Sequence, residues 1–342
     1  MRKPGACSES AAWGKAGEKA SEEPVGTGPY KWVSGGGSGP VVLERNDDYW
    51  GEPAKVAKVN VRVIGDVSTR IAALKAGEVD LITKLPPDAT ENVPVTFEGP
   101  SVEHNYLGYN SKNGVTSDPR VREAMNLAID RQALADDLWA GYAVPSKCQV
   151  GAPDATGYND TLEPWAYDPE RAKQLIEEAG ATGKSLKLSS GRFFPKGAEA
   201  AEAIAAYWEA VGLKVDVTVH PDPAQYAPEY FSKFKRPEAT FVLGSDDLFD
   251  QTSTARVLTT DGDASSYSNP EVDKLFEESY GMADLAERDA TLQKVMELVC
   301  ADAGVGDLLN PKDLWGGTDQ VEWTPRADDG SQLYIPPIGF KN

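Results

Sequence analysis

Three acidic residues follow a short apolar strand, and their carboxylates are the side chains here most suited to ligand chemistry. The predicted strand 241–243 leads into a polar run that contains Asp246, Asp247 and Asp250. A carboxylate can neutralise an ammonium group that is buried away from water, where an unpaired charge is costly. Asp246 and Asp247 are adjacent in sequence, which does not by itself direct both at one bond. A solvated acidic loop or helix start is the alternative interpretation.

The residues typical of common catalytic sites are scarce. The two histidines, His104 and His220, are each isolated and lie in or near strand-like segments. The sequence contains no Gly-x-Ser-x-Gly elbow, phosphate-binding glycine loop or His-Glu-x-x-His motif. We therefore expect a protein that is not an enzyme and that has no cofactor and no metal site.

Charge and length exclude further classes. The chain has 342 residues, with 54 acidic against 34 basic side chains and a net charge of −20. Nucleic-acid binding needs a basic surface, so we expect no nucleic-acid partner. No run approaches the roughly 18 apolar residues of a membrane span. The length is sufficient for two domains, each with its own core.

The N-terminus and the cysteines bear on cellular location. Met1-Arg2-Lys3 is basic, but no apolar segment follows, so we expect no signal peptide in this chain. Cys7, Cys148 and Cys300 lack the spacing of metal ligands. We predict that Cys148 pairs with Cys300, because oxidising compartments preserve disulfides. Two unpaired buried thiols are the alternative.

Strand and helix signals alternate along both halves, which predicts an α/β protein. A polar helix is predicted over 10–23, and Ser68 is predicted to cap a helix over 69–76. Asp or Asn before Pro marks two further helix starts, at Asp168 and Asn269. Asp118 starts a helix whose apolar face excludes Arg122. The remaining helices are predicted over 132–139, 197–211, 223–234 and 284–303, and strands over 41–45, 56–64, 79–82, 104–110, 186–188, 213–219 and 240–243.

Residues 24–32 form a turn that enters a strand, and Gly26-Thr27-Gly28-Pro29-Tyr30 within it resembles a known motif. The motif belongs to the family 5 extracellular solute-binding proteins, the peptide-binding components of ABC importers. Six further segments resemble that family in its own order: 70–80, 105–110, 118–131, 167–180, 201–213 and 267–273.

The resemblance implies a two-lobe α/β fold of the periplasmic-binding-protein type (type II, family 5 cluster). It implies a partial lobe I at 1–103, lobe II at 104–312, and a C-terminal segment, 313–342, that returns to lobe I. The match corresponds to the later part of a typical member, so we expect a chain that lacks the N-terminal part.

The function implied by the resemblance is binding of a peptide or similar small solute in a cleft that closes by hinge motion. The loaded protein delivers the solute to the permease subunits of an ABC importer, at an extracytoplasmic location, and acts as a monomer. An enzyme or accessory protein on the same fold, and a truncated remnant without ligand, are the alternatives.

The resemblance also indicates ligand-binding residues. In peptide-binding relatives, an Asp in a Trp-x-x-Asp-x-x-Asp-Pro segment takes the ligand ammonium. Spacing aligns Asp247 and Asp250 with the two acidic positions of this segment. Gly244 then stands where Trp is usual, and Gln251 where Pro is usual. If the register shifts by one residue, Asp246 instead binds the ligand ammonium.

Three more residues are candidates for the cleft. Asn105 and Tyr106 lie on the predicted crossing strand, with ordinary strand packing as the alternative. Arg256 suits a ligand carboxylate because its guanidinium can bind in a bidentate way, although a surface role is the alternative. Trp208 is predicted to be a core residue, because aromatic residues at helical spacing usually pack inside.

Overall fold

The computed structural model of the protein describes residues 24–36, 39–246, 248–326 and 333–341. Two compact units divide the chain. The first runs to Pro100 and resumes at Asp313, and the second spans Ser101–Lys312. The helix predicted over 10–23 and the residue Cys7 lie outside the described residues.

In the residues that the structure describes, the first unit contains small antiparallel sheets and an α-helix. Strands β1 (Tyr30–Ser34), β2 (Val41–Arg45) and β3 (Lys58–Val61) pair in sequence order. A second sheet places β12 (Asp313–Gly317) between β4 (Leu81–Ile82) and β5 (Val95–Gly99), and β13 (Val321–Glu322) pairs with β14 (Gly339–Phe340). Helix α1 covers Val67–Lys75. The rings of Trp315 and Trp323 pack 5.0 Å apart in the core of this unit.

The second unit is organised around a six-stranded mixed sheet with the order β7-β11-β6-β10-β8-β9. Strand β6 is central and runs antiparallel to both of its neighbours, whereas β8 is parallel to β9 and β10. The strands are β6 (Glu103–Tyr109), β7 (Ala143–Pro145), β8 (Ser185–Gly191), β9 (Lys214–His220), β10 (Ala239–Ser245) and β11 (Val305–Pro311).

Helices cover this sheet, and short polar side chains cap the first turns of most of them. Asp118, Asp168 and Asn269 each accept a hydrogen bond from a backbone N–H of the helix that they precede, as the Asx-Pro pattern predicts. The helices are α2 (Pro119–Leu127), α3 (Arg131–Trp139), α4 (Pro169–Glu178), α5 (Gly197–Ala210), α6 (Pro223–Tyr230), α7 (Ala255–Leu258), α8 (Pro270–Tyr280) and α9 (Leu285–Ala301).

The core of the second unit confirms the prediction for Trp208 and corrects the one for Arg122. Trp208 is fully buried, and its indole N–H donates to the backbone oxygen of Met125. Arg122 is also buried, and its guanidinium donates to the carbonyl oxygens of Asp302 and Ala303, just after α9. These carbonyls follow the last turn of a helix and have no intrahelical partner, so a buried cation is stabilised there.

Two further predictions differ from the structure. Asp66, not Ser68, caps α1, because its carboxylate accepts from the N–H of Thr69 at 2.8 Å. The tail beyond 303, for which no long element was predicted, contains the strands β11 and β12. Both strands are buried along most of their length and therefore lack the alternation of a half-exposed strand.

Within the described residues, no helix combines the length and the apolar character that a membrane crossing requires.

Candidate binding cavity

A cavity of about 460 Å³ lies within the second unit, where β6 and β10 meet α6 and the 3-10 turn Gln251–Thr254. Antiparallel pairing sets Tyr106 opposite Val242 and His104 opposite Gly244. Directly opposed residues share one face of a sheet, so these four residues form a continuous lining. The cavity thus opens on the sheet face that carries the even-numbered residues of β6.

Aromatic rings form one wall of the cavity. Phe193 and Phe194 follow β8, and α6 contributes Tyr226 and Tyr230, with Phe231 directly after it. The ring of Tyr226 stacks on that of Tyr230 with centroids 5.7 Å apart and meets the ring of Phe194 edge-on at 5.3 Å. Such ring–ring contacts add to the stabilisation that comes from burying the apolar surface of the rings.

Hydrogen bonds hold these aromatic residues in place. The hydroxyl of Tyr226 donates to the backbone oxygen of Phe241 at 2.8 Å, which ties α6 to β10. The hydroxyls of Tyr106 and Tyr230 lie 3.3 Å apart and bond to each other. Burial raises the pKa of Tyr106 and that of Tyr226, so both phenols stay neutral at physiological pH. The guanidinium of Arg236 lies 4.6 Å from the centre of the Tyr230 ring.

Asp246 is the buried acid of the cavity. Its carboxylate accepts from the backbone N–H of Ala152 and from the hydroxyl of Ser253, both at 2.7 Å. Its own N–H donates to the oxygen of Val102. Asp246 therefore joins the end of β10 to two loops that border the cavity.

His104 lies beside Asp246 and is almost fully buried, with 4% of its surface exposed. Burial lowers the pKa of His104, and the nearby Asp246 carboxylate only partly opposes this effect. The ring is therefore neutral at physiological pH. Its plane stacks on the ring of Tyr106 at 5.8 Å, which fixes its orientation.

The predicted site residues take different positions. Asp246, Tyr106 and Arg256 all line the cavity, and Arg256 at its exposed edge also forms a two-point ion pair with Asp263. Asn105 alternates with Tyr106 on β6, so it lies on the opposite face of the strand, where it is buried.

Asp250, a further acidic candidate, is not among the residues that line the cavity. Asp250 binds Arg288 through two contacts, of 2.6 and 2.9 Å, and caps the Gln251–Thr254 turn. Burial works against its charged form, but hydrogen bonds from Arg288 and Thr252 outweigh it and hold the pKa of Asp250 below its usual value. Asp247 lies outside the described residues.

Sequence reasoning missed His104 and the aromatic wall, although signals were present for His104 and for two of the wall's tyrosines. The period of two along β6 places His104 on the face of Tyr106. Tyr226 and Tyr230 are four residues apart on one helix, so they share a face. Phe193 and Phe194 carry no such signal, because they lie after the end of β8, where no strand or helix period predicts the direction of a side chain.

Cys148 and Cys300 are joined as a disulfide, with Cα atoms 5.4 Å apart. The bond attaches the loop that contains Val150 and Ala152 to the end of α9. Among the residues that the structure describes, no group of three or more His, Cys, Asp or Glu side chains is placed to hold a metal ion.

The turn near the N-terminus lines a second cavity, of about 530 Å³, in the first unit. Gly26, Gly28, Pro29 and Tyr30 border it, together with the apolar residues Val41 and Leu43 of β2. None of the described side chains that line it carries a charge, so we take the cavity of the second unit as the candidate site.

Comparisons with known proteins place this geometry in context. The sequence profile of the bacterial extracellular solute-binding proteins, family 5 Middle, matches residues 4–264. The glutathione-binding protein GsiB of Pectobacterium atrosepticum is 28% identical over 316 residues, which are 86% of this chain and 60% of that protein. GsiB of Escherichia coli is 32% identical over 232 residues, 65% of this chain and 44% of that protein. This chain thus spans about half of the length of these curated relatives.

Solved structures show the same fold. The ABC transporter substrate-binding protein CtaP of Listeria monocytogenes superposes with a TM-score of 0.84 at 20% identity, over 95% of this chain and 68% of that one. NikA of Brucella suis, in complex with Fe(III)-EDTA, gives a TM-score of 0.81 at 23% identity, over 93% of this chain and 69% of that one. The fold of the periplasmic binding proteins is therefore shared across these chains.

Proposed function

The chain belongs to the bacterial extracellular solute-binding proteins of family 5, and we propose that it binds a peptide or similar small solute for an ABC importer. The cavity of the second unit receives the solute. The bound form then engages the permease subunits of the importer on the extracytoplasmic side of the membrane, with the protein acting as a monomer.

The observation that carries this proposal is the composition of the cavity. It combines aromatic and apolar walls with a few polar groups, among them His104, Asp246 and Arg256. Small-molecule sites typically have this character and a volume of about 300–1,000 Å³. Three of the residues predicted for ligand contact from the sequence border the same space.

The proposed charge partner of a ligand ammonium is Asp247, because its spacing after the strand 241–243 matches the first acidic position of the motif that this chain resembles. Position 244, where relatives carry Trp, is Gly in this chain. The cavity therefore lacks that aromatic side chain, which supports a solute different from those of peptide-binding relatives with the full motif. The curated relatives are named for glutathione, which makes glutathione the first solute to assay.

Calorimetric titration with glutathione and with a panel of dipeptides and tripeptides tests the function. We expect at least one solute to bind the wild-type protein. For that solute, Asp247→Asn weakens binding by about tenfold or more, and the exposed Asp261→Asn, outside the cavity, leaves it unchanged. Unchanged affinity in Asp247→Asn contradicts the role of Asp247, and failure of every solute contradicts the function.

A further inference from the structure

We propose that the cavity of the second unit is a subsite for an aromatic ring that carries a hydrogen-bond donor, the chemistry of a phenol or an indole. The proposal rests on the proposed function, because it names the class of solute group that the same cavity takes. It follows from three features of the lining: aromatic walls, hydrogen-bond donors that already bond within the protein, and hydrogen-bond acceptors that have few partners.

The walls present ring surface rather than polar atoms. The hydroxyls of Tyr106 and Tyr230 bond to each other, and that of Tyr226 is committed to the backbone of Phe241. The rings of Phe193 and Phe194 add carbon surface beside Tyr226, with centroids 5.7 and 5.3 Å from its own. Offset and edge-on contacts with such rings favour a planar aromatic group over an aliphatic one.

Two hydroxyl donors of the lining are already used inside the protein. Ser253 donates to Asp246, and Thr254 donates to the backbone oxygen of Gln251, each at 2.7 Å. The guanidinium of Arg256 forms its fork with Asp263 at the exposed edge. A ligand group that needs donors finds the hydroxyls of Ser253 and Thr254, and the Nε and Nη2 groups of Arg256, already engaged.

The hydrogen-bond acceptors of the lining, in contrast, can accept further hydrogen bonds. Nδ1 of His104 is buried, and no described residue makes a hydrogen bond with it. A neutral imidazole has one nitrogen with a free lone pair, and in the proposed subsite this is Nε2. Nε2 lies against Gly244, a lining residue, so it borders the cavity. Asp246 adds carboxylate oxygens that each accept only one hydrogen bond among those described.

The space suits such a group. An engineered apolar cavity of about 150 Å³ holds benzene, so about 460 Å³ accommodates a phenol or an indole together with the atoms that link it to the rest of a solute. Glutathione has no aromatic ring. The proposal therefore separates the solute of this cavity from the one for which the relatives are named.

Two small probes test the subsite directly. Phenol carries the donor, and anisole replaces it with a methoxy group on the same ring. We expect phenol to bind the full-length protein about fivefold more tightly than anisole, as one hydrogen bond allows, when both are measured by ligand-observed NMR. Equal binding, or tighter binding of anisole, overturns the proposal.

Variants locate the binding. Ala227 lines the cavity, so Ala227→Trp fills it, whereas Ala224 lies exposed on the same helix outside the lining. We expect Ala227→Trp to weaken phenol binding about tenfold and Ala224→Trp to leave it unchanged. His104→Phe keeps a ring but removes the acceptor nitrogen, so we expect it to lower the preference for phenol over anisole, with the Asp246 carboxylate as the remaining acceptor. This ratio decides the proposal even where Ala227→Trp does not fold.

The failures of the two proposals are distinguishable. Solute binding by the wild-type protein together with equal phenol affinity in Ala227→Trp and Ala224→Trp overturns the subsite and leaves the proposed function in place. Phenol binding that is lost in Ala227→Trp, without binding of any peptide or glutathione, supports the subsite and contradicts the proposed function.

Discussion

The imidazole of His104 occupies the space that a side chain at Gly244 would need. The two residues are directly opposed on β6 and β10, and a Cβ placed at Gly244 would collide with Nε2 of His104. The glycine and the histidine are therefore complementary. Glycine is the one residue type at position 244 that lets the ring lie against the strand.

This relationship gives the first prediction. Gly244→Ala forces the His104 ring to move and lowers the free energy of unfolding by about 1–3 kcal/mol, measured by urea denaturation. The cost falls toward zero in a His104→Ala background, because the colliding ring is gone. Gly281→Ala is the control. A Cβ added at Gly281 would lie 3.8 Å from the nearest atom, the backbone oxygen of Glu278, and the φ of −90° suits any residue. An equal cost in both backgrounds contradicts the account.

The second prediction contrasts two ion pairs. The side chains of Asp250 and Arg288 are only 21% and 17% exposed, whereas those of Asp263 and Arg256 are 63% and 51% exposed. Asp250→Ala leaves a mostly buried guanidinium unpaired, which destabilises the fold by about 2–4 kcal/mol. Asp263→Ala changes stability by less than about 1 kcal/mol.

The Asp250 contribution depends on pH in a defined direction. The folded-state pKa of Asp250 lies below its unfolded value, so the stabilisation is complete above the unfolded pKa, about 3.9. It is lost as the pH falls through the lower, folded pKa. The stability difference between wild-type protein and Asp250→Ala, followed by denaturation from neutral pH downward, is expected to shrink in that window. A difference that grows on acidification contradicts the ion pair.

The third prediction concerns Asp307 in β11. Burial raises the pKa of this carboxyl to about 7, although Arg131 nearby opposes the shift. Between the unfolded pKa, about 3.9, and the folded one, the folded state keeps a proton that the unfolded state has released. Stability therefore falls as the pH rises through this window and levels off above it.

Asp307→Asn removes this dependence, because an amide does not titrate. We expect the variant to gain stability relative to the wild-type protein as the pH rises from about 5 to about 8, by about 1–3 kcal/mol in total. Thermal unfolding at several pH values measures it. Asp160→Asn, at a side chain that is 89% exposed, is the control. A difference between Asp307→Asn and wild type that stays constant with pH contradicts the buried neutral carboxyl.

The fourth prediction concerns the disulfide. Of the three cysteines, Cys148 and Cys300 are bonded, so unfolded and unreduced protein should show one free thiol. The double variant Cys148→Ser, Cys300→Ser should lose about 2–5 kcal/mol of stability, because the bond closes a long loop in the unfolded chain. Three free thiols in the unreduced protein contradict the bond.

The features that could be predicted from the sequence depend on interactions between residues close together in the chain. The helices after Asp118, Asp168 and Asn269 begin where expected because each cap needs only its own residue and the next few. The family and its fold class are likewise confirmed by the profile match and the structural likeness. The segment 118–131, which carried much of the resemblance, supplies scaffold contacts. Arg131 there donates to the backbone oxygen of Asp307 at 2.7 Å.

The parts that sequence reasoning missed depend on distant partners. Strand β11 pairs with β6, and almost the whole second unit lies between them in sequence. The composition of β11 does not indicate which strand it pairs with. The cavity has the same origin, since His104 and Gly244 meet only through the β6–β10 register. A lone histidine and a lone glycine each carry little meaning until that register is known.

The most direct test of the central claim is the melting temperature of the full-length protein with and without solute. A solute that binds only the folded state raises it in proportion to the logarithm of its concentration. For at least one peptide or for glutathione, we predict a rise in the wild-type protein and in Ala224→Trp that is absent in Ala227→Trp. A solute that raises the melting temperature of Ala227→Trp as much as that of the wild type would contradict binding in this cavity.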